Sequence, residues 1–121
     1  MNVKYTKDHE WVKLEADSAL IGITAFAAEQ LGDIVFIDVN TIGETLEKEE
    51  IFGTIEAVKT VSDMFLPIGG EILEFNEALE SNPALINSDP MGAGWIIKIS
   101  PTNLAEFEEL LSEEQYNDLI G

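Results

Sequence analysis

The apolar residues of this chain come in short runs separated by turn residues, and this spacing constrains the fold more than any other feature. The runs at 33–39 (DIVFIDV), 51–58 (IFGTIEAV) and 94–100 (GWIIKIS) are rich in β-branched and aromatic residues. Runs of this length and composition are typical of strands rather than of helices. We therefore expect a mostly β protein built from short strands.

Three segments need separate interpretation. Segment 24–32 predicts a short helix, with Thr24 as its N-cap and Gly32 as the residue that ends it. The run at 33–39 is almost continuously apolar, which predicts a strand buried on both faces. Segment 77–94 contains two prolines and two glycines, and it predicts a long irregular loop.

The C-terminal end shows helical spacing instead of strand spacing. Its apolar residues recur on one helix face, and they are Leu104, Phe107, Leu110 and Leu111. Ser112 begins a capping signature for a second helical piece that ends at Gly121. A length of 121 residues suits one compact domain. We therefore predict a single domain over 1–121, in which 103–121 forms a helical extension.

The charge balance limits the classes of partner. Six lysines and no arginine stand against 24 acidic residues, which gives a net charge of −18. Nucleic acids and anionic membranes would repel such a surface, so we expect neither as a partner. The acidity would serve solubility, electrostatic steering toward basic docking sites on proteins, or both. The chain has no cysteine, so any sulfur chemistry must come from a cofactor.

The sequence also lacks the usual signs of export or membrane insertion. No run of 18 apolar residues occurs, and residues 1–7 lack the apolar core of a secretory signal. We expect a monomeric protein of the cytoplasm, while a processed organellar form stays open.

Lys59 is the lysine with the most distinctive surroundings. Val58 precedes it and Val61 follows it closely, and two strand-like runs flank the whole segment. This pattern places Lys59 at the tip of a hairpin, where its amine is accessible from outside. On the residues alone, an ordinary solvated turn lysine is the simpler interpretation, and a modification site is the alternative.

The segment Asp8-His9-Glu10 contains three residue types that bind metals. Neighbouring side chains of an extended chain point to opposite sides, so we expect no metal site here. His9 is instead expected to be a structural hydrogen-bonding residue. Trp11 and Trp95 lie within strand patterns and are predicted to be core aromatic residues.

Several motifs together make the chain similar to one known family. They are Gly53, Glu56-x-Val58-Lys59, Ser62-Asp63, Phe65, Pro67 and Gly70-Glu71 around the hairpin, His9-Glu10-Trp11 near the start, Gly22-Ile23-Thr24, Leu31-Gly32-Asp33, and the later segment NEALESNPALINSDPMGAGWIIKI. In this order and over almost the whole chain, the motifs resemble those of the glycine cleavage system H-protein family.

The resemblance implies a fold and a function. The fold would be a flattened β-sandwich of the lipoyl/biotinyl type (a barrel-sandwich hybrid) with a short internal helix and C-terminal helices. Lys59 would carry lipoic acid in amide linkage, and the chain would be a carrier without catalytic residues. Asp8, Glu10 and Asp63 match positions near which the family shelters the loaded arm.

The resemblance also implies partners. The arm would receive an aminomethyl group from a pyridoxal-phosphate glycine decarboxylase (P-protein) and deliver it to an aminomethyltransferase (T-protein). A dihydrolipoyl dehydrogenase (L-protein) would reoxidise the arm, and a lipoylating enzyme would attach it.

The chain departs from the family pattern at a few positions. They are Ala25 to Ala28, Gln30, Gly69, Met91 and the flexible segment 92–94. We expect these positions to lie near the docking face of the arm, where they would affect its resting position and the partner set more than its attachment.

Other functions stay open at this point. Three of them are a lipoyl carrier for a different complex, a biotin carrier, and an unmodified acidic adaptor that binds basic partners through its C-terminal helices. The fourth is an enzyme that acts through Asp8, His9 and Glu10. Substitution of Lys59 separates a carrier from this enzyme, because only the carrier loses its function.

Overall fold

The structure is a computed structural model that describes residues 3–121. The strands in these residues are β1 (Val3–Tyr5), β2 (Glu10–Glu15), β3 (Ser18–Ile23), β4 (Ile34–Asp38), β5 (Thr45–Leu46), β6 (Ile51–Ala57), β7 (Val61–Phe65), β8 (Gly70–Phe75) and β9 (Ile97–Pro101). The helices are α1 (Ala25–Leu31), α2 (Ala78–Ser81), α3 (Leu85–Ser88), α4 (Ala105–Glu108) and α5 (Glu113–Ile120). Residues 1 and 2 of the predicted domain lie outside the described residues.

The strands form two antiparallel sheets. The larger sheet has the order β1-β2-β3-β9-β8-β5, and the smaller sheet has the order β4-β6-β7. Neighbouring strands in both sheets pair in the antiparallel sense. The prediction of a mostly β, lipoyl-type sandwich with few helices is confirmed.

One apolar cluster fills the space between the two sheets. Ile21, Ile72 and Ile97 of the larger sheet and Ile55 and Met64 of the smaller sheet belong to it, and all five are buried. Each such side chain contributes about 1.5–3 kcal/mol of hydrophobic free energy relative to full exposure. Their burial holds the β6–β7 hairpin firmly against the larger sheet.

A second cluster of aromatic side chains joins the chain ends. Tyr5, Trp11 and Tyr116 form its buried part, and Trp95 packs against them in a half-buried position. The indole N–H of Trp11 donates to the carbonyl oxygens of Ile23 and Pro90, both at 3.0 Å. The core position predicted for Trp11 is confirmed, whereas Trp95 is only partly buried.

The expected burial of the strand at 33–39 is wrong. In β4 only Ile34 and Ile37 are buried, while Val35 and Phe36 are 45% and 55% exposed. The reason is tertiary, because β4 is an edge strand of the smaller sheet and only its Ile34 and Ile37 side chains join the core cluster. A register shift between Ile34 and Phe36 also interrupts the strict alternation of side chains.

The helix predictions are partly correct. Helix α1 begins after Thr24, whose hydroxyl accepts the N–H of Ala27, and it ends at Gly32 as predicted. The capping box predicted at Ser112 is present, with Gln115 as its second member. However, α4 is a single turn, and Leu104 is 58% exposed, so the predicted apolar face is not continuous.

Segment 77–94 is not a wholly irregular loop. It contains α2 and α3, each of four residues, and these bury Leu79 and Ile86. Helices of one turn are too short to produce a recognisable apolar period, so the sequence pattern did not reveal them. No helix within residues 3–121 is long and apolar enough to cross a membrane.

Candidate functional site

Lys59 lies at the tip of the β6–β7 hairpin and is exposed to solvent. The N–H of Ala57 donates to the carbonyl of Thr60 at 2.8 Å, which closes the tight turn. The N–H of Val58 donates to the carbonyl of Asp33 at 3.0 Å, which fastens the tip to the residue before β4. The amine is thus displayed on a turn whose backbone is held on two sides.

The lysines differ in the partners of their ammonium groups. Within residues 3–121, Lys4, Lys48 and Lys98 each lie within 4.0 Å of a glutamate carboxylate, at 4.0, 3.8 and 3.6 Å respectively. Lys59 forms no such pair in the same part of the chain. Its amine is therefore open to a reaction partner.

An open cleft of about 840 Å³ lies between the two sheets and α1. Its lining residues come from the segment after β1, from the strands β2, β3, β6 and β7, from α1 and from the turn before β6. They are Lys7, Asp8, His9, Glu10, Ile23, Phe26, Ala27, Gln30, Leu31, Glu49, Ile55, Ser62, Asp63, Met64 and Phe65. Asp63, which is distant in sequence from Asp8 and Glu10, therefore borders the same cleft as these two residues.

Glu10 occupies an unusual environment within this cleft. Its side chain is only 7% exposed, and the hydroxyl of Thr6 donates to its carboxylate at 3.0 Å. The pKa of Glu10 is raised to about 7, mainly by burial and also by the charges of Asp8 and Glu49, while hydrogen bonds from Thr6 and the Phe65 backbone oppose the increase. Near neutral pH both the protonated and the ionised form of this carboxyl group are therefore populated.

Asp8 and Asp63 contribute exposed carboxylates to the lining of the cleft. The N–H of Asp8 donates to the Thr6 hydroxyl at 3.2 Å, which fixes the turn that carries Asp8. Asp63 lies on β7, where it is paired with Thr54 of β6. The cleft thus combines two solvated carboxylates with one desolvated carboxyl.

The expectation that residues 8–10 form an extended chain is wrong. The N–H of His9 donates to the carbonyl of Thr6 at 3.1 Å, and His9 has a left-handed φ of 69°. Its Nδ1 lies 2.8 Å from the hydroxyl of Tyr116, and its ring packs on Phe26 at 4.5 Å between centroids. His9 is a structural hydrogen-bonding residue, and within the described residues no cluster of three or more His, Asp or Glu side chains has metal-binding geometry.

The structure divides the departures from the family pattern into two groups. Phe26, Ala27 and Gln30 line the cleft. Gly69 and Met91 do not line it. The expectation that all these positions lie near the docking face of the arm stays a prediction. Glu49 also borders the cleft. In the sequence it lies in a run of charged residues, and nothing there distinguishes it from its neighbours.

Comparison with known proteins gives consistent results. A model of the family described as "Glycine cleavage H-protein" matches residues 3–121. A glycine cleavage system H protein of Bacteroides fragilis is 59% identical over 120 residues, which cover 99% of this chain and 95% of the relative. A protein of the same name from Halothermothrix orenii is 46% identical over 115 residues, which cover 95% of this chain and 90% of the relative.

A solved structure agrees with these sequence relatives. The crystal structure of a glycine cleavage system H protein from Mycobacterium marinum superimposes with a TM-score of 0.90 at 39% identity, and the match covers 99% of this chain and 97% of that one. The family model spans nearly the whole chain, and the relatives are highly identical to it. Both findings are consistent with the exposed Lys59 and the carboxylate-lined cleft. The chain belongs to the glycine cleavage H-protein family.

Proposed function

We propose that this chain is the lipoyl-lysine carrier of a glycine cleavage system, with Lys59 as the attachment site. The observation that carries the proposal is the exposed amine at the tip of a firmly held hairpin, in a chain that belongs to the H-protein family. A modifying enzyme can reach such an amine without unfolding any part of the sandwich. The whole chain acts as one carrier domain.

The cleft has the chemical character that a lipoyl arm requires. Apolar atoms of Phe26, Leu31 and Met64 offer contacts to a hydrocarbon chain, and the carboxylates offer contacts to a positively charged load. Bound lipoate supplies a disulfide that exchanges with thiols, a chemistry for which the cysteine-free chain has no group of its own. The chain supplies attachment, reach and shelter.

Asp8, Glu10 and Asp63 hold the amino group of the loaded arm. An ammonium group near these side chains donates charge-assisted hydrogen bonds to their carboxylate oxygens, and such bonds are stronger than neutral ones. Its positive charge also favours the ionised form of Glu10, whose pKa burial raises to about 7. The cleft therefore stabilises the loaded arm and limits access of water to it.

The carrier serves a defined set of partners. It takes the aminomethyl group from the glycine decarboxylase (P-protein), passes it to the aminomethyltransferase (T-protein), and presents the reduced arm to the dihydrolipoyl dehydrogenase (L-protein). A lipoylating enzyme acts on Lys59 beforehand. The carrier itself is a monomeric, non-enzymatic component that works in the cytoplasm.

The test combines intact mass with an exchange assay. Wild type and the variants Lys59→Arg and Lys13→Arg are expressed in cells that lipoylate proteins, and each is analysed by intact mass and peptide mapping. Wild type and the Lys13→Arg control, which alters another exposed lysine, should carry one lipoyl group. Lys59→Arg should carry none and should reduce glycine–bicarbonate exchange by the partner decarboxylase to background.

The same assay examines the role of the cleft. Asp63→Asn should be lipoylated normally but should lose the loaded amine several-fold faster than wild type. A bare Lys59 in wild type, or full exchange activity in Lys59→Arg, would contradict the carrier function.

A further inference from the structure

The end of the Lys59 side chain lies beside Gly32. A Cβ atom added at Gly32 would lie 3.3 Å from Cε of Lys59 and 3.8 Å from its Nζ. The first distance is tighter than ordinary van der Waals contact, so a larger residue at this position would push the end of the lysine side chain away by a few tenths of an ångström. The contact links the hairpin tip to the end of α1.

Gly32 is held rigidly in this position. It ends α1 with φ 85° and ψ −154°, a backbone conformation that essentially only glycine adopts. Its N–H donates to the carbonyl of Ala28 at 3.0 Å, and its own carbonyl accepts the side-chain N–H of Asn87 at 2.8 Å. The Oδ1 of Asn87 in turn accepts the N–H of Ile34 at 3.0 Å. The surface under the lysine stem is therefore fixed from both sides.

Helix α1, which ends at Gly32, forms one wall of the cleft. Leu31, Gln30, Ala27 and Phe26 all line the cleft. At a rise of about 1.5 Å per residue, the wall extends about 9 Å from Gly32 to Phe26. Phe26 packs against His9, the residue between the carboxylates of Asp8 and Glu10. A group attached to Nζ therefore starts at the end of this wall.

We propose that Gly32 is a positioning residue for the arm on Lys59. Its missing Cβ lets the lysine stem lie flat on the end of α1, and this directs the attached group along the helix into the cleft. The inference rests on the proposed function and adds a residue that determines the direction of the arm. Gly32 does not touch the load itself.

The chain provides a matched control for the substitution. Gly43 also has a positive φ, of 88°, but a Cβ at this position would meet nothing within 4 Å. Gly32→Ala and Gly43→Ala therefore both place a side chain at a residue with positive φ. They differ in that only Gly32→Ala crowds Lys59.

The first measurement uses the unmodified protein. With ¹³C-labelled lysine, wild type should show a nuclear Overhauser effect between the ε-methylene of Lys59 and the α-protons of Gly32. Gly32→Ala should shift the ε-methylene resonances of Lys59, whereas Gly43→Ala should leave them unchanged. Absence of this effect in wild type overturns the proposal, whatever the variants do.

The second measurement uses lipoylated, loaded protein. Gly32→Ala should lose the loaded amine about threefold faster or more, because a small displacement of the arm root misplaces its far end. Gly43→Ala should lose it at the wild-type rate, and both should be lipoylated fully. Equal rates of loss in Gly32→Ala and wild type overturn the proposal.

A third variant keeps the proposal testable if Gly32→Ala does not fold. If circular dichroism shows that Gly32→Ala is unfolded, Asn87→Ala replaces it, because this change releases Gly32 without adding a side chain. It should weaken the nuclear Overhauser effect and accelerate the loss of the load. If wild type is never lipoylated, the proposed function fails, while the contact measured in the unmodified protein is unaffected.

Discussion

The carboxyl group of Glu10 lies in the cleft wall, where the protein shields it from water. An ionised carboxylate is poorly solvated at such a position, so the folded chain binds a proton that an exposed glutamate would release. The neighbouring charges of Asp8 and Glu49 act in the same direction, while Thr6 stabilises the ionised form. This balance makes the protonation of Glu10 sensitive to any cation that enters the cleft.

The titration of Glu10 should be visible in the stability of the protein. Between pH 4.5, the ordinary value, and about pH 7 the folded chain retains a proton that the unfolded chain releases. The free energy of unfolding therefore falls as pH rises through this window. Glu10→Gln should remove this contribution and stabilise the protein at pH 8 by about 1–3 kcal/mol, with little effect at pH 4.

Urea unfolding of wild type and variant at both pH values checks this expectation. Glu15→Gln is the control, because Glu15 lies at the exposed end of the same strand. A difference between Glu10→Gln and wild type that is equal at pH 4 and pH 8 would show that Glu10 does not titrate as described.

At the scale of single elements, α5 connects the C-terminal end to the cleft. Its Tyr116 is 3% exposed, stacks on Tyr5 at 4.9 Å, and places its hydroxyl 2.8 Å from Nδ1 of His9 and 2.7 Å from Oγ1 of Thr24. Thr24 is the N-cap of α1. One hydroxyl group thus fixes both the turn before Glu10 and the start of the helix that forms the cleft wall.

Removal of this hydroxyl should loosen the cleft. Tyr116→Phe keeps the stacked ring but leaves His9 and Thr24 without a shared partner, which should cost about 1–3 kcal/mol in the free energy of unfolding. Amide hydrogen exchange should accelerate in segment 6–10. Tyr5→Phe keeps the same stack and forms the control, since its hydroxyl makes no hydrogen bond within the described residues. Equal losses of stability in the two variants would contradict this role of Tyr116.

The sequence predicts helices that begin at a capping residue better than it predicts features that depend on tertiary contacts. The N-caps Thr24 and Ser112 identify α1 and α5, because capping is a local interaction. The burial of β4 is different, since it depends on the position of the strand at the edge of a sheet. The contact between Lys59 and Gly32 likewise joins residues that only the tertiary fold brings together.

At the scale of the whole molecule, the charge is the dominant property. A net charge of −18 on 121 residues produces repulsion within the folded chain, and the unfolded chain relieves part of it by expanding. Only three ion pairs occur within the described residues, and all lie at partly exposed lysines, so they offset little of this repulsion. Amidation of Lys59 would remove one more positive charge.

Salt should therefore stabilise the protein. Raising NaCl from about 10 mM to about 300 mM shortens the screening length severalfold, so the melting temperature should rise by about 4–8 °C or more. Replacing the exposed Glu77 and Glu80 by glutamine should make this increase smaller. Thermal unfolding followed by circular dichroism measures both effects, and a melting temperature that falls with salt would contradict the expectation.

Composition alone is sufficient to predict this charge effect, and the short apolar runs predict the β-rich class. The order of the strands and the meeting of Asp8, Glu10 and Asp63 at one cleft cannot be obtained in this way. These features depend on pairings between distant segments, such as β3 with β9. The family resemblance named the three carboxylates, and the structure shows that they border the same space.

The two ends of the chain meet beside the cleft. Tyr5 and Leu111 exchange backbone hydrogen bonds of 2.9 and 2.8 Å, and Tyr116 completes the support of His9. A chain that lacks these last residues would still contain the β6–β7 hairpin and Lys59, but it would lose the hydrogen bonds that support this side of the cleft.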